Sequence, residues 1–379
     1  MKTFHILIII ALSILSFSCT NDIEFNGEQQ KPMLVLNSFV TPDSVVKVLL
    51  TRSKFFLDDD TKFDTITNAE VKLFVNDIFV EKLNPSTKGY YTGNYFPKEN
   101  DMLKFVAISP QLGEVTATTN IAPKQAIIGI DTASVSLGVY PDIQYSSYNG
   151  GPFIADTTGY RYSTGLDLRI RFKDAPNVKN YYRLVLKGKS YYSDGKVVEN
   201  TVNSSSDDLV FGSNNTDILG EMSSYYLYNE FNDQLFDGKT YELKTRAHFQ
   251  RTKLIKKPNT SKPTTIGTDT ITRQELIVVL QSISESYYHY LKTIAANQSG
   301  EDFFTEPVQI YSNIQNGLGI FGSYTSSSKV FELPESLSFD SYFYGGYGNW
   351  HVFVNNKVTA LLQEENLYKD QKIEVVKKE

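Results

Sequence analysis

The sequence predicts a mainly β chain, with a β-sandwich first and a second β-rich domain that carries one amphipathic helix. Three observations lead there. Aromatic residues make up 13% of the 379 residues, with 25 Tyr and 24 Phe, a bias toward pleated sheets. Short apolar runs alternate with polar residues at a period of two, split by Pro, Asp, Asn and Gly clusters roughly every ten residues. One segment alone carries a convincing apolar stripe at helical spacing. The single cysteine, Cys19, allows no disulfide within the chain, so buried cores must hold the fold.

Residues 1–18 read as an export signal. Lys2 supplies the positive start, and Ile6 to Phe17 form an apolar run of 12 residues. That is shorter than the roughly 18 apolar residues a spanning helix needs. Ser18 precedes Cys19 directly, which is similar to the bacterial lipobox, where a small residue precedes a cysteine whose thiol takes a diacylglycerol. Cys19 is therefore the expected lipidation site, and a membrane the expected partner through it. Several acyl chains on one residue anchor stably where one binds only marginally. Residues 19–31 are polar and read as a lipidated, flexible tether. Asp22, Glu24 and Glu28 resemble the acidic tag that sends lipoproteins of Bacteroidota to the cell surface.

Formal net charge is −6, and loss of Lys2 with the signal takes it to −7. Without a basic stripe or an RNA-binding motif, nucleic acid is not an expected partner.

Residues 32–125 hold a run of short strands: "MLVLNSFV", "SVVKVLL", "AEVKLFV", "IFVEKL", "YYTGNYF", "LKFVAIS" and "EVTATTNI". Several short strands with frequent turn signals predict a sandwich. The step Ala69–Val71 followed by Gly89–Tyr91 resembles the prealbumin-like, carboxypeptidase-regulatory type of Ig-like sandwich. Pro123 to Asp156 reads as a looser, Tyr- and Gly-rich connection, with the domain boundary near its start. A second β-rich domain then occupies residues 126–335. In "LDLRIRF", Leu166, Leu168, Ile170 and Phe172 alternate with Asp167, Arg169 and Arg171; "YYRLVLKG" and "YELKTRAHF" behave alike. "SDGK" and "FDGK" offer Asp-Gly hairpin turns. The helix is placed near 284–297, with Ser282 and Glu285 as a capping box and Tyr288, Leu291 and Ile294 as its apolar stripe. A strand "PVQIYSN" and a glycine-rich turn follow. Residues 336–379, aromatic and then charged, fall outside this rhythm, and no role is assigned to them.

Candidate chemistry is sparse. Gly317, Gly319 and Gly322 match G-x-G-x-x-G formally, but no helix opens behind them, so the reading is a tight turn or bulge and no nucleotide cofactor is expected. Asp58, Asp60 and Asp64 offer oxygen ligands to calcium but lack the Gly and terminal Glu of a calcium loop; a solvated acidic loop is the simpler reading, and no metal site is assigned. His248, His289 and His351 belong to no H-E-x-x-H, G-x-S-x-G or Cys-His arrangement, and no catalytic residue is assigned. Doublets at Tyr90–Tyr91, Tyr181–Tyr182, Tyr191–Tyr192, Tyr225–Tyr226 and Tyr287–Tyr288 place one ring of each strand pair away from the core. Such rings either cover sheet edges or stack on sugars and proteins.

Ser282–Ser284, Tyr287, Tyr288, Tyr290 and Leu291, then Glu306–Val308 and Ser312 through Gly322, resemble the motif of an uncharacterised family of Bacteroidota lipoproteins. "MLVLNSFVTPD" and "LTRSKFF" are similar to its opening. The resemblance covers about residues 19–335. Genes of such lipoproteins often lie beside those of TonB-dependent receptors, which implies a non-enzymatic accessory or substrate-delivery role at the outer membrane. A TonB-dependent receptor and a glycan or peptide ligand are the implied partners. The alternatives are a self-standing surface glycan- or peptide-binding protein, an outer-membrane assembly factor and an unrecognised hydrolase.

Overall fold

Strands dominate the computed structural model, which describes residues 31–55, 62–86, 88–146, 154–192, 194–206, 208–211, 228–253, 271–299, 308–332, 342–346, 349–354, 357–363 and 373–374. The chain divides into two compact units. Residues 1–32 and 54–62 make the first, little of which is described; residues 33–53 and 63–379 make the second and hold everything below. Cys19, the 1–18 signal and most of the 19–31 tether lie outside the described residues.

The first sandwich uses β1 (Leu34–Val40), β2 (Lys47–Arg52), β3 (Glu70–Val75), β4 (Ile78–Lys82), β5 (Asn84–Pro85), β6 (Tyr90–Thr92), β7 (Met102–Ser109) and β8 (Gly113–Asn120). Alternation sets its core. Leu34, Leu36, Val48 and Leu50 of one sheet face Val71, Leu73, Leu103, Phe105 and Val115 of the other. Tyr91 is buried there, its hydroxyl donating to Ile66 O (3.0 Å) and accepting from Ala69 N (2.9 Å). The Gly-x-Tyr and Ala-x-Val steps read in the sequence are thus tied to each other.

The second sandwich follows with β9 (Ile127–Ser146), β10 (Ile154–Lys173), β11 (Tyr181–Tyr192), β12 (Val197–Thr201), β13 (Asn203–Ser205), β14 (Glu230–Asn232), β15 (Thr240–Lys253) and β16 (Ile271–Ile283). Helix α1 (Glu285–Ser299), β17 (Ile314–Gln315) and β18 (Leu318–Glu332) come next. One sheet runs β13-β15-β10-β9, with β22 (Ile373–Glu374) beyond β9; the other carries β12-β11-β16-β18. Leu166, Leu168, Ile170, Phe172 and Leu243 meet Tyr182, Leu184, Leu186, Leu276, Val278 and Leu280 in its core. Of the 336–379 tail, the described β19 (Tyr342–Gly346), β20 (Asn349–Val354) and β21 (Lys357–Gln363) form a three-stranded antiparallel sheet.

Strand β18 belongs to both sandwiches. Its first six residues pair in parallel with β1, Val35 opposite Leu318 through Val40 opposite Ser323. The remainder pairs antiparallel with β16, Ile283 opposite Tyr324 through Glu275 opposite Glu332. Ile314 and Phe321 are buried in the first core, Phe321 against Phe105 at 4.6 Å between centroids. The sequence reading closes the first sandwich at residue 125; in the structure residues 314–323, some 190 positions later, complete it.

The junction between the sandwiches is stitched. Alternate residues of β18 point at the backbone of residues 120–128. Ser323 Oγ donates to Asn120 O (2.5 Å), Thr325 Oγ1 to Ala122 O (3.1 Å) and Lys329 Nζ to Ile128 O (2.6 Å). Ser327 Oγ accepts from Ile127 N (3.2 Å). The loose connection expected over Pro123–Asp156 is largely β9, a 20-residue strand zipped to β10; its Tyr and Gly content masked a continuous ladder.

Three smaller readings change as well. Asp194–Gly195 turns the β11–β12 hairpin as expected, but Asp237–Gly238 precedes β15, which pairs with β10 rather than β14. Residues 308–313 form no strand and run beside α1, where Tyr311 N donates to Thr293 Oγ1 (2.9 Å). The helix is capped by Ser284, whose Oγ accepts from Tyr287 N (3.3 Å), not by Ser282. Strand β16 continues through Ile283, pairing Ser282 with Tyr182 and Thr325, so no helix starts before Glu285.

Candidate functional site

Two outward faces carry concentrated side-chain chemistry. One is the aromatic face where α1 covers the shared sheet. Tyr182 points into the second core and its neighbour Tyr181 points out, under the helix, so both are buried. Tyr181, Ile283, Tyr287 and Leu291 form a small separate core, with Tyr228, Tyr288, Tyr290 and Tyr324 half-buried around it. The buried stripe of α1 is therefore Tyr287 and Leu291, four residues apart; Tyr288 and Ile294 lie at its margin. The doublets divide by position. Tyr91 is buried and Tyr90 is not, whereas Tyr181–Tyr182 keeps the one-in, one-out arrangement with both rings buried, because a helix covers the outer one.

Polar ends of these rings are tethered around the margin. Arg183 Nη1 donates to the Tyr287 hydroxyl (2.8 Å) and its Nε to Tyr228 O (3.1 Å). Tyr181 OH donates to Glu285 Oε1 (2.5 Å); that bond, with Lys179 nearby, holds the Glu285 carboxyl below the usual carboxylate range. Burial pushes the Tyr287 and Tyr290 hydroxyls up, so neither ionises near neutrality. His289 sits among the Tyr181, Tyr288 and Tyr311 rings, a packed helix residue. Phe39, on the outer face of β1, is 41% exposed and lies 4.6 Å from the Tyr287 ring and 6.1 Å from Tyr290. An exposed aromatic backed by further aromatics, with cations at the rim, matches the composition of a recognition surface.

The other face is a polar groove of about 720 Å³ on the outside of the β13-β15-β10 sheet. Asp167, Arg169, Ser205, Asp208, Lys244 and Arg246 are among its lining residues. Arg246 holds Asp167 through Nε and, at 2.9 Å, through Nη2. Asp208 accepts from Tyr241 OH (2.5 Å), Lys244 N (2.9 Å) and Val210 N (3.3 Å). His248 lies on the charged outer face of β15, in alternation with Lys244 and Arg246. Its Nε2 lies 2.7 Å from Ser205 Oγ. A hydroxyl on an imidazole is the pairing from which nucleophilic catalysis starts, but the carboxylate close by, Asp167, is occupied by Arg246 on both oxygens.

Burial, and then Arg246, lower the His248 pKa from its ordinary 6.5. The folded state thus favours the neutral ring, and this contribution to stability is present above pH 6.5 and lost as pH falls through the lowered value. Urea unfolding at pH 7.5 and pH 5 is expected to show a smaller acid loss for His248→Gln than for wild type. Equal losses would remove His248 from the account.

A third cluster, Asp174, Asp233 and Asp237, brings carboxylate oxygens within 4.8 Å of one another. It works as a loop clasp. Asp174 accepts from Tyr182 OH, Asn180 Nδ2 (3.2 Å) and Gly238 N (2.8 Å), Asp233 from Asn180 N (2.7 Å), and Asp237 from Asn177 N (3.0 Å). Burial raises the Asp233 pKa. Of the aspartates weighed for calcium, Asp58 and Asp60 lie outside the described residues, as do Tyr225 and Tyr226. Asp64 is described, and its backbone O accepts from Arg52 N (2.9 Å). The His351 side chain is not described.

The glycine motif has a structural duty. Gly317 faces Leu34 O, where a Cβ would sit 2.6 Å away, and Gly319 has φ +107° against Leu36 O. Gly322 lies under Phe39 and Tyr287. Asn313 closes the same joint, its Oδ1 accepting from Phe321 N (2.9 Å) and its Nδ2 donating to Thr118 O (3.0 Å). Ser284, Tyr287 and the Ser312–Gly322 part of the motif therefore lie at the crossing of β18 with β1, β8 and α1, while Tyr288 packs on Tyr181 of β11.

A family model described as "Domain of unknown function (DUF4249)" matches residues 20–330. The chain belongs to the DUF4249 family. Much of the motif that carried the resemblance thus builds the joint of a DUF4249 chain, and its Tyr287 and Tyr290 also back Phe39 on the aromatic face. No curated protein matches the sequence. Two solved structures are distantly similar. A Corynebacterium diphtheriae protein described as membrane anchored has 12% identity and a TM-score of 0.18, over 68% of this chain and 56% of its own. A carbohydrate-binding module of the beta-sandwich super family has 10% identity and a TM-score of 0.17, over 59% of this chain and 96% of its own. The DUF4249 chain thus matches little more than half the length of the first. Among the described residues, no helix is long and apolar enough to cross a membrane.

Proposed function

We propose that this chain is an outer-membrane lipoprotein of the Bacteroidota type, anchored through Cys19, that acts without enzymatic chemistry as an accessory or substrate-binding subunit of a TonB-dependent transporter. The observation that carries the reading is the aromatic face: Phe39 stands exposed on β1 and is backed by Tyr287 and Tyr290 of α1. It lies where the two sandwiches share a sheet, on a support stitched by side-chain hydrogen bonds, so a docked partner would meet a preformed surface. The acyl anchor would hold that surface beside a membrane receptor at high effective concentration.

The test is affinity purification of the tagged protein from outer membranes in mild detergent, followed by mass spectrometry. A TonB-dependent receptor is expected in stoichiometric yield, and Phe39→Ser is expected to cut that yield at least tenfold while leaving the protein in the membrane. Cys19→Ala is expected to release the protein into the soluble fraction. Recovery of the wild-type protein without a receptor would reject the accessory role, and membrane retention of Cys19→Ala would reject the anchor.

A further inference from the structure

The charges on the outer face of the second sandwich are arranged in rungs. On β10 and β15, residues directly opposite one another are Asp167 with Arg246, Arg169 with Lys244, and Arg171 with Glu242. The outer two rungs pair opposite charges. The middle rung sets two cations face to face across β10 and β15, an arrangement that weakens a sheet where it is not neutralised, while Asp131 of β9 stands opposite Arg169 on its other side and is bonded to Arg171. Both belong to the lining of the polar groove.

Commitments of the surrounding groups make the asymmetry sharper. Two of the three acidic groups of the groove are already engaged by hydrogen bonds. Asp167 is held by Arg246, and Asp208 accepts three hydrogen bonds. Glu242 stands between Arg169 (3.9 Å) and Arg171 (4.0 Å), and Arg171 is drawn off to Asp131 at 2.6 Å. The Lys244 ammonium is exposed and has no side-chain partner among the described residues, and Arg169 has only the long contact to Glu242. Open hydrogen-bonding capacity at the middle rung is thus cationic, with Glu242 beside it. A monoanion placed between Arg169 and Lys244 would complete the rung, whereas a dianion would meet the three nearby carboxylates.

The remaining lining describes the rest of the ligand. Ser205, Ser206 and Tyr241 contribute hydroxyls, each bonded within the protein to His248, Lys244 O and Asp208 respectively but with an oxygen lone pair left for a ligand donor, and Leu209 is the sole exposed aliphatic. A cavity of this size accommodates a small ligand, and this lining favours one dense in hydroxyls over one with apolar side chains. We infer that the groove binds an acidic saccharide, with its singly charged carboxylate or sulfate seated between Arg169 and Lys244. The aromatic face lies on the other sheet of the same sandwich, so this site stands whether or not the receptor reading does.

Isothermal titration of the full-length lipoprotein in detergent tests the inference. The probes are trigalacturonate, its methyl ester, a sulfated galactotriose, neutral galactotriose, and a tripeptide with a free C-terminal carboxylate. At least one acidic saccharide is expected to bind at least tenfold more tightly than the neutral forms, and the carboxylate and sulfate arms identify which acid is preferred. The double variant Arg169→Gln/Lys244→Gln is expected to lose at least tenfold in affinity and most of the salt dependence. Both residues are exposed, and the unliganded variant is expected to unfold at the same or a higher urea concentration, because the like-charge rung is gone. Equal binding of neutral and acidic saccharides, binding of no saccharide, tighter binding of the tripeptide, or unchanged affinity in the variant would each overturn it.

Discussion

Phe321→Ala is expected to unfold or severely loosen the first sandwich, although residue 321 lies about two hundred positions beyond its last consecutive strand. Phe321 has no exposed surface and packs on Phe105. Its backbone is held on both sides: Asn313 Oδ1 accepts from its N–H, and its carbonyl accepts from Asn313 Nδ2 (2.9 Å) and Ser286 Oγ (3.0 Å). Truncating a buried Phe costs about 3–5 kcal/mol through lost transfer energy and the cavity left behind. That is a large share of the roughly 5–15 kcal/mol by which domains are stable. Amide hydrogen exchange is the measurement that localises the effect. Protection is expected to fall first in β1, β2 and β7, whose side chains share a core with Phe321, and less in β10 and β15. A fragment of residues 32–125 is expected to lack protected amides, because β1 loses its parallel partner and β8 loses β17. A protected, cooperatively unfolding fragment would show that residues 314–323 dress the first sandwich rather than complete it.

That dependence explains what was and was not legible in the sequence. Local patterns were legible. The alternation of Leu166, Leu168, Ile170 and Phe172 gives their inward face, and Gly89–Tyr91 with Ala69–Val71 marks a tied corner. The existence of α1 and its start near residue 284 followed from its stripe; its cap did not, because Ser282, three before Glu285, fits the capping-box pattern, whereas the actual cap Ser284 has Tyr287 at that place. Pairing between distant strands was not legible, since alternation says which face a residue takes and nothing about its neighbour. Parallel addition of β18 to β1 joins segments separated by almost the whole chain, and no local signal announces it. For the same reason the polar groove was invisible. "LDLRIRF" and "YELKTRAHF" each show charges on one face, but the Arg169–Lys244 rung exists only once their register is known. In the stretch from Ser323 to Lys329, Ser and Thr composition gives no hint of a duty; the structure uses Ser323, Thr325 and Ser327 to bond the backbone of the junction.

The aromatic face shows the converse case. Tyrosine doublets were readable as a surplus of rings, and the split between covering and recognition was left open. The structure divides them by cover rather than by sequence. Tyr181 is buried because α1 lies over it, and on the same face Phe39, a lone ring outside any doublet, is left exposed.

Gly319→Ala is expected to be the most damaging added methyl among the described glycines. A φ of +107° lies in the region that residues with a Cβ rarely adopt, and such strain costs about 1–3 kcal/mol. The added Cβ would also fall inside the van der Waals surface of Leu36 O and close to Leu36 C (2.8 Å). Those are backbone atoms, held in the β1–β18 ladder, so no flexible side chain can yield. Forcing the strands apart would cost about another 1–3 kcal/mol as overpacking does. It would also disturb Ile320 N, which donates to Asn37 Oδ1 (3.3 Å). The summed loss is about 2–6 kcal/mol, measurable as a lower urea midpoint. Gly113→Ala gives the contrast. Its φ of +82° is strained in the same sense, but a Cβ there meets nothing within 4 Å, so only the backbone cost of about 1 kcal/mol is expected. Comparing the two variants separates steric approach from conformational strain. Equal losses would mean that the close packing of β18 on β1 adds nothing. A large excess at Gly319 would establish that the G-x-G-x-x-G pattern is required by the crossing of two strands.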